Sequence, residues 1–492
     1  MNKSIMIKQI FIYCLIFPFI QFVFGEIQYS QSGYASATTV NRISDGSIIK
    51  LPFRVFTYEP VISYNDFNWV GSTAIEFRFK SFNQFFDSEL NFDLRELYLE
   101  WMTPIGDFSL GKQIFTWGSA SENNPTDNIS PFNFYYLFSM GKERKEGIFA
   151  LNSTVYFENI KLNTIFIPQH NTNPLPLNDP EFPLNIPLIP RDEQIMDLEN
   201  PIEYGISLNF PINSIEFTTS YFSGYDRIVS FFGANVWTEP NANPQSVIAI
   251  DTVLSFRKTD VMGLGLSYLN GNLSIKGDLG YFISDDNIHQ GDSALYRFYS
   301  PDTLINYCKE KNNSILNDPF SSGTPFPDCN TFPTFNNTEL INNNAEYYQF
   351  TLELEYAPID DFIFLSQYSK YKLNKIGLAD SIKTSDTTIV FDPLVYFIPG
   401  MGSPNSFISS NSLSLSARKT FSDMGLEIHY TAMFDLDEKG SLHGVGLEYK
   451  LLNNTNLLIE LTKIYDNGEI LHNPFTGMKD FSRILFELRY FY

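Results

Sequence analysis

Runs of about ten residues in which apolar and polar side chains take turns recur along this chain, divided by connectors that are short and long by turns. Successive side chains of a strand point to opposite faces, so each run describes a ribbon with one apolar side and one polar side. In "YYQFTLELEY", Tyr348, Phe350, Leu352, Leu354 and Tyr356 alternate with Gln349, Thr351, Glu353 and Glu355. In "GLEIHYTAMF", Leu426, Ile428, Tyr430, Ala432 and Phe434 alternate with Glu427, His429 and Thr431. The last run is "FSRILFELRYFY". It sets Ile484, Phe486, Leu488, Tyr490 and Tyr492 on one side, and Arg483, Leu485, Glu487, Arg489 and Phe491 on the other. A soluble sheet can alternate in this way too, so one run decides little.

The connectors decide more. The segments 452–456, 420–424, 357–360, 270–272 and 210–214 are short, whereas 466–480, 374–406, 285–344, 224–250 and 169–200 are long and polar. Short periplasmic turns alternating with long extracellular loops are the order of a transmembrane antiparallel β-barrel. A soluble sandwich has no reason to sort its connections so. The expected fold is therefore all-β, a barrel of about eighteen strands. Sixteen is the alternative, because 41–64 is hard to parse. A closing strand cannot fray without opening an edge in lipid, which fits a chain that stops on an aromatic in mid-alternation.

At the N-terminus, two lysines precede the apolar run "QIFIYCLIFPFIQFVF", broken by Pro18, and small Gly25 stands at its exit. This is the layout of a cleaved secretory signal over residues 1–25, leaving 26–492 as the barrel. Removing Lys3 and Lys8 from a net charge of −23 leaves about −25. With 33 Lys+Arg against 56 Asp+Glu there is no basic face for nucleic acid. The mean hydropathy of −0.13 suits a barrel whose inner half is polar. Cys308 and Cys329 remain after cleavage, in a loop-like stretch. In an exported chain an even count points to one disulfide, the alternative being two free thiols.

The densest stretch is 94–131. "LRELYLEW" reads as a strand with Glu96, Tyr98 and Glu100 on one face, and "DFSLGKQIFTWG" as its return, with the register of Lys112 and Phe115 ambiguous. "SENNPTDNISPFNFYY" is too polar and proline-marked for a strand, and forms a loop carrying Glu122 and Asp127, followed by Lys142, Arg144 and Lys145. The succession L-R-E-x-Y (Leu94, Arg95, Glu96, Tyr98), G-K-Q-x-x-x-W-G (Gly111, Lys112, Gln113, Trp117, Gly118) and N-P-x-D-x-x-x-P (Pro125, Asp127, Pro131) resembles a widespread, poorly characterised family of porin-like outer-membrane barrels. That family is loosely similar to alginate-export-type channels. The resemblance covers about forty residues and bears on fold and location rather than on solute.

Two readings stand for 118–136: an inward loop that narrows a pore, or a surface loop or brace. For the first, the constriction candidates are Glu122, Asp127, Glu96, Glu100 and Lys112. The lumen-lining candidates are Glu353, Glu355, Glu427, Glu448, Glu460, Arg483 and Arg489. Their excess of acid points to a mild preference for cations or neutral solutes. The Pro/Leu-rich segment within 169–200 is expected to pack over the rim. The histidines lack metal-ligand or catalytic spacing, so neither enzyme activity, metal nor cofactor is expected.

The expected function is passive diffusion of small hydrophilic solutes across the outer membrane of a Gram-negative-type bacterium. A dedicated polysaccharide or lipid-like conduit working with periplasmic partners is an alternative, as is a surface adhesin or receptor with a closed pore. The partners implied are outer-membrane lipid and lipopolysaccharide, small hydrophilic solutes, and the barrel-assembly machinery reading the last strand; the assembly is a monomer or, as the alternative, a homo-trimer.

Overall fold

A computed structural model of the chain describes residues 27–492, apart from 80–87, 140, 178, 183–189, 192–193, 199, 239–246, 286–300, 318–324, 326–327, 330–334, 342–343, 379, 384–387 and 467–473. The expected signal segment, 1–25, lies outside the described residues.

Eighteen antiparallel strands form one sheet. They are β1 (Gln28–Arg42), β2 (Pro52–Tyr64), β3 (Phe67–Arg78), β4 (Glu89–Thr103), β5 (Gly106–Gln113) and β6 (Ile148–Phe157). Next come β7 (Ile160–Ile167), β8 (Glu203–Ile212), β9 (Ile215–Tyr225), β10 (Lys258–Asn270), β11 (Leu273–Asp285) and β12 (Ala345–Ile359). The last six are β13 (Phe362–Ile376), β14 (Asn411–Phe421), β15 (Leu426–Asp435), β16 (Ser441–Leu452), β17 (Thr455–Tyr465) and β18 (Arg483–Phe491). Each strand pairs with its chain neighbour, and β18 pairs back onto β1 from Tyr34↔Phe491 to Arg42↔Arg483. The sheet is thus a closed barrel. The stretch 41–64, hard to parse from sequence, is the end of β1, a connector at 43–51 and β2.

One end of the barrel carries only tight turns. Asn65, Glu158, Asn213 and Asp361 adopt left-handed backbone there, and the two-residue loops match the twist of the strands they join. The other end carries the long connectors, the largest being 114–147, 168–202, 226–257, 286–344 and 377–410. Both β1 and β18 open and close the chain at the short-turn end.

The two faces differ as the alternation requires. Outward-pointing Leu264, Leu352, Leu354, Leu447, Leu461, Phe486 and Leu488 are all exposed. Their neighbours Asp278, Thr351, Glu353, Gln367 and Glu487 point inward and are buried. Hiding one such apolar side chain is worth about 1.5–3 kcal/mol, so a belt of them round the whole sheet requires a hydrocarbon surround. Ring pairs mark its short-turn border: Phe67–Trp101 stacked at 5.9 Å, Trp101–Phe108 tilted at 5.7 Å and Phe210–Phe217 stacked at 5.9 Å. Among the described residues no helix is long and apolar enough to cross a membrane.

Two features depart from the sequence expectation. The stretch read as loop-like around Cys308 is a helix, α1 (Pro301–Asn317), and its Cys308 is disulfide-bonded to Cys329. Pro301 opens it at a position where its missing N–H costs nothing. The long connectors also build a small external sheet, Val247–Ser255 and Phe335–Leu340 flanking Ser230–Thr238.

Candidate functional site: a loop across the lumen

Segment 114–147 leaves β5 and turns into the barrel. Gly118 makes the bend, with φ +89°, and a Cβ there would lie 2.0 Å from Asn124 Nδ2. Beyond it, the backbone N–H groups of Ser119 and Ala120 donate to the Asp278 carboxylate on β11, at 3.0 and 2.6 Å. Ser121 N and Oγ donate to Glu353 on β12, each at 2.8 Å. Asn123 Nδ2 donates to Gln367 Oε1 on β13 at 2.8 Å. Strand β13 lies eight places from β5 in an eighteen-strand ring, so the loop reaches nearly across.

Trp117 anchors the near side through Nε1 to Asn163 Oδ1 on β7 at 3.0 Å. The loop is folded on itself before it meets the wall. Asn124 Nδ2 donates to the carbonyls of Trp117 and Ala120, and its Oδ1 accepts from Thr126 N at 2.8 Å.

The return limb is held by buried charge. The Lys145 ammonium pairs with Asp127 and also donates to Phe115 O at 2.7 Å. Burial pushes this ammonium below its ordinary pKa, against the pull of Asp127. Behind it stands Arg227, which donates to Ile129 O at 2.9 Å and pairs with Glu203 at 2.8 Å; His170 Nδ1 meets the same carboxylate at 2.8 Å. Burial depresses the His170 pKa. Arg257 pairs with Asp226 at 2.7 Å and donates to Ile398 O, tying a third connector to the same hub. Sequence reading missed Asp226, Arg227, Arg257 and Asp278. The only local signal was a run of charge just past the long-loop end of β9.

The free edge of the loop is 141–144 together with Glu122. Arg144 pairs with Glu122 at 3.1 Å, Lys142 with Glu96 at 3.3 Å, and Arg54 of β2 with Glu143 at 2.5 Å. Arg95 sits beside a bulge in β4, where Ser72↔Glu96 is followed by Thr73↔Leu94, and both Arg95 and Glu96 are buried. Glu122 and Glu143 keep 32% and 40% of their side chains accessible. Burial raises the Glu122 pKa, and the Arg144 guanidinium works against that rise.

The remaining constriction candidates fall elsewhere. Asp127 is buried against Lys145 and accepts Trp117 N, so it holds the loop rather than facing a passage. Glu96 is buried and accepts Ile114 N at 2.9 Å. Glu100 stays on the inner face near the short-turn end, accepting from Asn68 at 3.0 Å. Lys112 must be reassigned: it is in register with Leu97 and with outward-exposed Phe149, and its ammonium donates to Leu94 O at 2.5 Å. The β4 bulge leaves that carbonyl to be satisfied, and a long amine on the outer face supplies the donor.

Of the lumen-lining candidates, Glu353 is covered by Ser121, Lys276 and Gln367 and meets no open water. Glu355 follows it on the inner face. Glu427, Glu448 and Glu460 accept from Thr420, Asn456 and Thr462 on the β14–β18 wall. Arg489 is locked onto Glu487 by two nitrogens, and Arg483 lies over the rings of Phe481 and Phe138.

At the long-loop mouth the connectors pack together. Phe134, Phe182, Ile228, Ile408, Phe475 and Phe481 form one apolar cluster with Val40 and Ile464 of the wall. The Pro/Leu-rich segment does more than pack over the rim: Asp179 pairs with Arg78 of β3 at 2.6 Å and Glu181 with Arg42 of β1 at 2.5 Å. Among the described residues no group of three His, Cys, Asp or Glu side chains is placed to hold a metal ion. His289 and His472 lie outside the described residues.

No protein-family model matches the chain, and no curated protein matches it in sequence. Among solved structures it is similar to OccAB3 of Acinetobacter baumannii, at 8% identity over 95% of this chain and 99% of that one, with a TM-score of 0.44. It is similar to OpdL of Pseudomonas aeruginosa at 10% identity over 95% and 97%, with a TM-score of 0.43. It is similar also to the outer membrane channel DcaP of Acinetobacter baumannii at 10% identity over 95% and 97%, with a TM-score of 0.38.

Proposed function

We propose that the chain is an outer-membrane channel for passive diffusion of small hydrophilic solutes, with a weak preference for cations. The observation that carries this reading is the loop 114–147, braced to the far wall through Asp278, Glu353 and Gln367. A loop held so firmly inside a barrel narrows the passage without sealing it by flexibility alone. Its open edge presents Glu122 and Glu143, and the wall opposite carries Glu427, Glu448 and Glu460 against Arg418 and Arg483. Carboxylates in a confined aqueous lane between low-dielectric walls raise the local concentration of cations. The mechanism needs no nucleophile and no bound cofactor.

Planar-bilayer recording under a KCl gradient tests it. The expected result is a stable conductance whose reversal potential reports permeation of K⁺ ahead of Cl⁻. A reversal potential of the opposite sign overturns the selectivity, and absence of any conductance overturns the channel. The apolar cluster that joins six connectors at the mouth favours a second reading, a surface receptor or adhesin with a closed pore. The same recording separates the two.

A further inference from the structure

The outer face of β13 departs from the apolar rule at its long-loop end. Gln367, Ser369 and Tyr371 pair with inward-pointing Glu353, Thr351 and Gln349 of β12. Tyr371 and Leu373 pack against an interior apolar cluster. That register forces the residues between them outward: Lys370 opposite Phe350, and Lys372 opposite Tyr348. Past a bulge at Asn374, Lys375 stands opposite Glu346 on the same face. Three ammonium groups thus crowd one outward patch in a chain whose net charge is −23.

Their depth follows from strand geometry. Lys372 is ten residues along β13 from Phe362, which at about 3.3 Å per residue and a tilt of about 40° is roughly 25 Å, the height of the apolar band. The ammonium groups therefore stand at headgroup level, above Leu352 and Leu354, with Tyr281, Tyr348 and Tyr368 beside them. Three carboxylates are near: Glu346, Asp437 and, within Coulomb reach of Lys375, Asp285. Glu346 is taken up by Lys375 at 2.9 Å and by the Tyr281 hydroxyl at 3.0 Å. Asp437 accepts from Ser410 at 2.7 Å and Asn411 at 3.0 Å, within Coulomb reach of Lys370. Among the described residues neither Lys370 nor Lys372 forms an ion pair.

We propose that Lys370, Lys372 and Lys375 bind the phosphate of a phosphorylated glycolipid in the outer leaflet. Charge complementarity is the argument: clustered ammonium groups at the border of hydrocarbon repel one another unless an anion lies between them, and phosphate is the anion at that depth. Lysine suits the place, because its flexible stem lies along the apolar surface while the head reaches upward. The site rests on the membrane-barrel fold and is independent of what the lumen passes.

The test is native mass spectrometry of the full chain in detergent with added bisphosphorylated lipid A. The wild-type protein is expected to retain one lipid, and the double substitution K370Q/K372Q to weaken retention by about tenfold. E346Q, which frees Lys375, is expected to strengthen it. Both variants face away from the lumen and are expected to keep wild-type conductance, which shows that they fold and keeps this proposal separate from the channel. Equal retention by K370Q/K372Q, equal retention of dephosphorylated lipid A, or displacement of the lipid by millimolar inorganic phosphate would overturn it.

Discussion

Glu122 and Glu143 matter because they keep part of their carboxylates accessible while paired with Arg144 and Arg54, whereas Asp127 of the loop and Glu96 of β4 are buried. The double substitution E122Q/E143Q is therefore expected to lower the K⁺/Cl⁻ permeability ratio, roughly twofold or more for two charges in a confined lane, while leaving conductance near wild type. Bilayer reversal potentials read this directly. The pH dependence has a fixed sign. Burial raises the Glu122 pKa above its ordinary 4.5, so on acidification it loses its charge before an ordinary carboxylate does. By linkage, its contribution to holding the loop is full below the unfolded value and falls as pH rises through the raised one. Cation preference should thus fade on acidification while still above pH 4.5, and the E122Q channel should lack that early component. Arg227 makes a different prediction. It joins Glu203 to the carbonyls of Asn128 and Ile129, so R227M leaves that buried carboxylate with only His170 Nδ1 and Tyr225 N beside it. The expected cost is about 3–5 kcal/mol, read as faster proteolysis within 118–136 and noisier conductance.

A loop can narrow a pore only while its braces outlast its fluctuations. Segment 119–130 carries the contacts to Asp278, Glu353 and Gln367, and its deletion is expected to raise single-channel conductance with the barrel intact. Conductance equal to wild type would remove this element from the selectivity argument. The external helix α1 is held differently, by its bond from Cys308 to Cys329 across a separation of 21 residues. Opening that link with C308S/C329S is expected to loosen the helix by about 3 kcal/mol. Hydrogen exchange should quicken over 301–317 while the barrel strands keep their protection. The two elements also differ in how far the sequence discloses them. The polarity and prolines of 119–131 mark a loop, but its direction depends on partners 150 and more residues away. The helix reads as loop in sequence because of its poor helix formers, Asn306, Asn312, Asn313 and Asn317, although Pro301 stands where a helix can begin.

For the molecule as a whole, the alternation of apolar and polar positions and the sorting of connectors were enough to write the barrel, because both are imposed by lipid along every strand. The site was less legible, because its geometry turns on single bulges and on strand-end charges. Lys112 shares the outer face with exposed Leu110 by the unbroken alternation of β5, a register that "GKQ" alone leaves ambiguous. Closure itself rests on the last strand. Nine residue pairs join β18 to β1, and Tyr492 extends the seam: its ring stacks on Phe56 at 5.8 Å and its hydroxyl donates to Thr57 O at 2.5 Å, reaching over β1 to β2. Removing 483–492 would leave the facing edges of β1 and β17 with unpaired N–H and C=O groups in hydrocarbon, each costing several kcal/mol, so no folded barrel is expected. Y492A is the finer probe. It removes one stacked pair and one hydrogen bond, together roughly 1–3 kcal/mol, without touching the ladder. Urea unfolding in detergent, followed by the gel mobility of folded barrel, should show a lower midpoint with unchanged conductance below it. An unchanged midpoint would mean that the ladder alone holds the barrel shut and that the terminal aromatic serves assembly, not stability.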